Sequence, residues 1–118
     1  MIYKYLTKFE NKDYKDLKAS EFSFLIEEEL KKHGTIKKEV FVPNRGDGRT
    51  GRIDLLFFIN GKEIPIELDS RSPRIKSIFK ITCYSNSGYV ITRSPFKIFK
   101  VKDNIAEWNK KGYGSWYE

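Results

Sequence analysis

One cysteine, Cys83, and one histidine, His33, stand in 118 residues, and these two scarcities remove more chemistry than any other feature of the chain. A single cysteine makes neither a disulfide framework nor a Cys-rich zinc site. A single histidine cannot build a zinc site that needs several imidazoles, and it argues against His-based acid/base catalysis. Hydrolytic chemistry would therefore fall to carboxylates, lysine and a metal. No apolar stretch reaches the roughly 18 to 20 residues of a spanning helix, and the opening MIYKYLTKFE lacks the long apolar region of a signal peptide. The expectation is no membrane association and a cytoplasmic location. No repeat, linker or low-complexity block divides the chain, so residues 1–118 read as a single domain.

What is present is charge and a hairpin. Lysine and arginine number 23 against 16 acidic residues, for a net charge of +7, an excess that suits a polyanionic partner. Asn60-Gly61 separates two apolar runs, and this dipeptide tolerates the positive φ angles of a type I′ turn. Residues 52–69 are thus expected to form one hairpin. A two-residue loop sets Ile59 against Lys62, and counting back brings Asp54 opposite Glu67. One face then carries Ile53 with Leu68, Leu55 with Ile66, and Phe57 with Ile64; the other carries Arg52 with Asp69 and Asp54 with Glu67. Two carboxylates about 5 Å apart repel by about 3 kcal/mol at an effective dielectric near 20. A raised pKa, a basic neighbour or a divalent cation would relieve that repulsion. The plainer alternative is a solvated, charged sheet end neutralised by Arg52 and Arg71.

Around the hairpin, Ser20 is placed to cap a helix to about residue 33, with Phe22, Leu25, Ile26 and Leu30 as its apolar stripe and Gly34 as its stop. Residues 2–6 suggest a short strand, and 7–18 are irregular or partly helical. Residues 36–42 read as a strand, followed by a basic loop over 44–51. Ser72-Pro73 opens a second helix of about ten residues, in which Ile75, Ile78 and Phe79 share the buried side and Lys76 and Lys80 lie one turn apart. Residues 88–92 and 97–101 read as strands, and Asp103 as the cap of a final helix over 105–111. The order is helix, strand, strand, strand, helix, strand, with additions at both ends.

This order, together with the segment GRIDLLFFINGKEIPIELD, resembles the PD-(D/E)XK nuclease superfamily. The resemblance spans about residues 20–92 and implies an α/β fold with a restriction-endonuclease-like αβββαβ core, a mixed sheet flanked by helices. It implies that Asp54 and Glu67 bind Mg²⁺, or Mn²⁺, beside a scissile phosphate of DNA. Glu21 resembles the glutamate that small branched-DNA resolvases carry near the start of the first helix and would be a third metal ligand; the plainer account is an acid favoured by the helix dipole. The chain departs from the pattern at Glu67-Leu68-Asp69, where lysine is usual two residues after the glutamate. Either Asp69 takes part directly, or it pairs with Arg52. Lys80 or Lys76, on the helix that follows, would supply the missing cation.

Arg45, Arg49 and Arg52 near the mouth of such a site, with Arg71 and Arg74 beyond the hairpin, are candidate phosphate contacts that position DNA without reading sequence. The leading expectation is a Mg²⁺-dependent endonuclease of the Holliday-junction-resolvase or phage type, and cutting two strands implies a homodimer. A catalytically silent nuclease-fold DNA-binding module and a protein-interaction regulator using the aromatic tail (Tyr113, Trp116, Tyr117) are the alternatives.

Overall fold

The computed structural model describes residues 2–43, 48–85 and 87–108. Two α-helices, α1 (Ala19–Leu30) and α2 (Ile75–Tyr84), accompany six strands: β1 (Thr35–Val42), β2 (Gly51–Ile59), β3 (Lys62–Asp69), β4 (Ser87–Arg93), β5 (Phe96–Lys102) and β6 (Ile105–Trp108). The strands form one mixed sheet in chain order. Neighbours are antiparallel except β3 and β4, which run parallel and are joined across α2. The protein is α/β.

The central hairpin follows from its turn. Asn60 and Gly61 both have positive φ, 51° and 76°, as a type I′ loop requires. The register is set at once: Ile59 pairs with Lys62, Phe57 with Ile64 and Leu55 with Ile66. Pro65 sits within an interior strand, where a missing N–H is normally costly. Here it pairs with Leu56 at a position whose N–H would face β4, and the β3–β4 pairing begins one residue later, at Ile66 with Tyr89. The missing donor therefore falls just ahead of the β3–β4 ladder.

Both faces of the sheet are covered. Tyr89 and Ile91 join a core cluster with Phe22, Ile26 and Leu30 of α1, whereas Val90 between them joins Ile81 of α2. Alternation along a strand then puts the two helices on opposite faces. The α1 side also takes in Ile2, Leu6 and Phe9, from two short 3₁₀ turns, Ile2–Tyr5 and Thr7–Phe9. The strand expected over residues 2–6 is thus a 3₁₀ turn, its apolar residues spaced to bury one side against α1 and the sheet.

Three further expectations are corrected. The helix α1 begins after Lys18, not Ser20, and Glu21 accepts the Lys18 N–H at 2.8 Å. The helix α2 begins after Arg74, two residues beyond the Ser72-Pro73 signal, with the Asp69 carboxylate receiving the Arg74 N–H at 2.9 Å. Residues 105–108 are a strand, not a helix. Asp103 and Asn104 have φ of 53° and 64°, so they form a hairpin turn between β5 and β6 rather than a helix cap. Residues 109–111 of that expected helix lie outside the described residues.

Gly34 follows α1 for a reason other than a left-handed φ. A Cβ there would stand 2.2 Å from the Phe58 carbonyl oxygen and 2.9 Å from the Phe57 ring, so glycine lets the start of β1 close on β2. Gly61, by contrast, has open space around it and needs only its positive φ. Urea unfolding should therefore separate the two: Gly34→Ala is expected to lose about 1–3 kcal/mol or more from overpacking, and Gly61→Ala about 1 kcal/mol from backbone strain. Equal losses would show that the close approach at Gly34 is not what requires glycine.

Candidate active site

The sheet is irregular at one level, and that level holds the acids. Pairing between β1 and β2 runs Lys38–Leu55 and then Val40–Ile53, skipping Glu39 and Asp54; Glu39 has a φ of 55°, unusual for a side chain with a Cβ. On the other side, pairing between β2 and β3 stops at Leu55–Ile66. Beyond it, side chains replace the ladder. The Asp54 N–H donates to Glu67 Oε2 at 2.7 Å, and the Leu68 N–H donates to Asp54 Oδ2 at 2.8 Å. The two carboxylates thus satisfy backbone donors that the opened ladder would have orphaned.

The same break turns over the side-chain alternation. Leu55 and Phe57 pack on the α1 side, but Ile53 packs with Val42, Ile81 and Val90 on the α2 side. The expectation that Ile53 shares a face with Leu55 and Leu68 is corrected, because strict period-two alternation does not survive a residue that leaves the ladder.

Lys80 reaches this level from α2. Its ammonium donates to the Arg52 carbonyl at 3.0 Å and stands 2.5 Å from Glu67 Oε1. That contact is a close ion pair without regular hydrogen-bond direction, and Oε1 is otherwise unsatisfied. Glu67 is fully buried and Lys80 only 8% exposed. Burial, and next the charge of Asp54, push the Glu67 carboxyl up to about 7, against the lowering effect of Lys80. Asp54 is raised too, chiefly by burial, with the Leu68 N–H and Lys80 acting against it and Glu39 and Asp69 adding to it.

Asp69 is occupied elsewhere. It is buried and accepts from the Arg74 N–H, from Arg74 Nε at 2.9 Å and from Ser77 Oγ at 3.1 Å, with Arg74 Nη2 at 2.8 Å. It fastens the start of α2 to the end of β3, and its ion-pair partner is Arg74 where Arg52 was expected. By setting the helix it also sets Lys80, six residues into α2.

Asp54 opens on a cleft of about 360 Å³ bounded by Ser20, Ser23, Lys38, Glu39, Leu68 and Arg74. Glu21 does not reach it: it is exposed and lines a separate groove with Leu17, Phe24 and Leu25. Lys76 is exposed and contacts neither acid among the described residues. Arg49 and Arg52 are exposed, Arg71 and Arg74 border a neighbouring cleft, and Arg45 and the aromatics Tyr113, Trp116 and Tyr117 lie outside the described residues. Residues that sequence reading passed over are Glu39, Lys38 and Glu27. Glu27 is buried and accepts from Ser23 Oγ at 3.0 Å with Lys38 Nζ at 3.4 Å. The Ser23–Glu27 spacing of one helical turn was a usable signal; Glu39 gave none, since the long connection before β2 does not fix the β1 register.

Among the described residues no group of three or more acidic, histidine or cysteine side chains gathers as metal ligands, so the expected third carboxylate, Glu21, is not part of the cluster. The pair that remains fits a hard divalent cation, which accepts one or two carboxylates with water. Two adjacent acids both held above their usual range form a site that positive charge stabilises, and Lys80 already supplies one such charge at Glu67 Oε1. No protein-family model, no curated protein and no solved structure matches this chain. No helix among the described residues is long and apolar enough to cross a membrane.

Folding raises the Glu67 pKa from 4.5 to about 7, so between those values the folded chain binds more protons than the unfolded one. Stability attributable to Glu67 accordingly falls as pH rises through that window, by on the order of 3 kcal/mol at about 1.4 kcal/mol per unit. Urea unfolding in EDTA should show Glu67→Gln gaining on the wild type from pH 4.5 to 7.5. A wild-type-minus-variant difference that is flat with pH would overturn this electrostatic picture.

Proposed function

We propose that this chain is a metal-dependent endonuclease of the PD-(D/E)XK kind that hydrolyses phosphodiester bonds of DNA. The observation that carries the reading is the convergence of Asp54, Glu67 and Lys80, from two strands and the following helix, at the one level where the sheet ladder opens. The element order supports it: α1, three antiparallel strands, α2 as crossover and a fourth strand parallel to the third are compatible with the restriction-endonuclease-like core. Lys80 supplies, from α2, the cation missing two residues after Glu67.

Asp54 and Glu67 are the residues that would hold Mg²⁺. When bound, the ion supplies Lewis-acid stabilisation of charge on the phosphate and acidifies a water. The chain itself does the positioning. Asp54 lines the cleft with its Oδ2 held by the Leu68 N–H, and the Asp54 backbone holds Glu67 in turn. Lys80, restrained by the Arg52 carbonyl, keeps a compact positive charge beside the acids, suited to orienting the attacking water and neutralising phosphate. Lys38 and Arg74 flank the cleft as phosphate contacts. A homodimer goes with this reading, since cutting both strands of branched DNA takes two sites.

One observation favours a second reading. Glu67 Oε1 is covered by Lys80 and shut from solvent, as in a fold that binds DNA and leaves it uncut. Incubation with Mg²⁺ or Mn²⁺ on linear, single-stranded and four-way-junction DNA separates the two. Cleavage is expected, falling by at least about a hundredfold in Asp54→Ala, Glu67→Ala and Lys80→Ala. Glu21→Ala is expected to cut normally and to lose only about 1 kcal/mol of stability with its helix cap. Salt-sensitive binding without cleavage would favour the silent module, and cleavage that survives Asp54→Ala would remove the site.

A further inference from the structure

The carboxyl ends of β3 and β4 carry a second cleft that adjoins the Asp54 cleft. It has a volume of about 390 Å³ and is bordered by Ser70, Arg71, Ser72, Arg74 and Arg93, with Asp69 at its base. Three arginines border it: Arg71 and Arg74 from the connection into α2, and Arg93 from the end of β4. Asp69 takes up one, pairing with Arg74 at 2.8 Å. Among the described residues no carboxylate pairs with Arg71 or Arg93, which leaves the cleft with positive charge in excess.

The backbone builds this arrangement. The N–H groups of Arg93 and Ser94 donate to the Ser70 carbonyl at 3.2 and 3.0 Å, so the end of β4 is tied to the turn that carries Arg71. The Asp69 carboxylate fixes Arg74 at the helix start. The cleft lies beyond the carboxyl ends of β3 and β4, the parallel pair of the sheet. Guanidinium groups match phosphate oxygens bidentately, and two serines add hydroxyl donors. The cleft shares Ala19, Leu68 and Arg74 with the Asp54 cleft, so a ligand can run from one to the other.

We propose that Arg71, Arg74 and Arg93 form a phosphate-binding subsite that holds a phosphate group of a nucleic-acid strand while a neighbouring phosphate lies at Asp54. For the strand as ligand it rests on the nuclease reading; the phosphate pocket stands on its own geometry. Two sources present this chemistry, a terminal phosphate monoester and an internal phosphodiester.

The test is fluorescence anisotropy in EDTA, where cleavage is blocked. The ligands are a labelled single-stranded oligonucleotide with a 5′-phosphate and its 5′-hydroxyl counterpart, and inorganic phosphate is tested separately by thermal shift. The proteins are wild type, Arg71→Gln and Arg93→Gln, with Arg93→Lys as the variant that keeps the charge should the glutamine not fold. Affinity is expected to fall about tenfold or more in each glutamine variant. A loss confined to the phosphorylated strand identifies the terminal monoester, and an equal loss on both identifies the diester. Wild-type strand binding that neither substitution changes overturns the subsite and leaves the nuclease reading standing. No strand binding, with a phosphate-induced shift abolished by Arg93→Gln, keeps the pocket but overturns its nucleic-acid ligand, while the nuclease reading stands or falls on the cleavage assay above. Absence of both responses overturns the pocket and its ligand together.

Discussion

The site depends on a broken ladder. At the level of Glu39 and Asp54 the sheet gives up its backbone pairing, and carboxylates take over the freed N–H groups of Asp54 and Leu68. A buried unsatisfied backbone donor costs about as much as a lost hydrogen bond, so the acids at 54 and 67 are structurally required at the point where they are chemically interesting. The fold and the candidate chemistry draw on the same atoms. That coupling also explains the raised pKa values, because the groups that satisfy the backbone are thereby held in a poorly hydrated place beside each other.

The buried ion pair between Lys80 and Glu67 is the second consequence. Such a pair does not by itself favour folding, since desolvation offsets much of the Coulomb gain, but removing one partner leaves the other costly. Lys80 is held by a chain of contacts: Asp69 fastens Arg74 and Ser77, these fix the start of α2, and α2 delivers the ammonium to Glu67 and to the Arg52 carbonyl. Asp69 thus helps to place Lys80 without touching it, by fixing the start of the helix that carries the ammonium.

The same contacts organise the surface. Arg74, anchored by Asp69, borders both the Asp54 cleft and the arginine-lined cleft at the ends of β3 and β4. With a chain charge of +7, the distribution matters more than the total. Asp69 is buried beneath one cleft and Asp54 half-buried in the other, while Lys38, Glu39, Arg71 and Arg74 are exposed at their edges.

The sequence by itself determined the hairpin, its turn and its register, because Asn60-Gly61 and period-two alternation are local properties that a few residues settle. It also placed α1 to within three residues and α2 to within two, and supplied the order of elements from α1 to β5. It misread Asp103-Asn104 as the entry to a helix, since turn residues serve both ends equally well and only the pairing of β6 with β5 decides between them. What tertiary structure alone decided was the meeting of side chains from separate elements. Lys80 and not Lys76 reaches Glu67 and the Arg52 carbonyl, Asp54 and Glu67 each hold the other's strand, and Arg93 comes to the same cleft as Arg71. Each of these depends on how α1 and α2 seat on opposite faces of the sheet and where the ladder opens, and no local propensity encodes contacts between residues 13 to 28 positions apart.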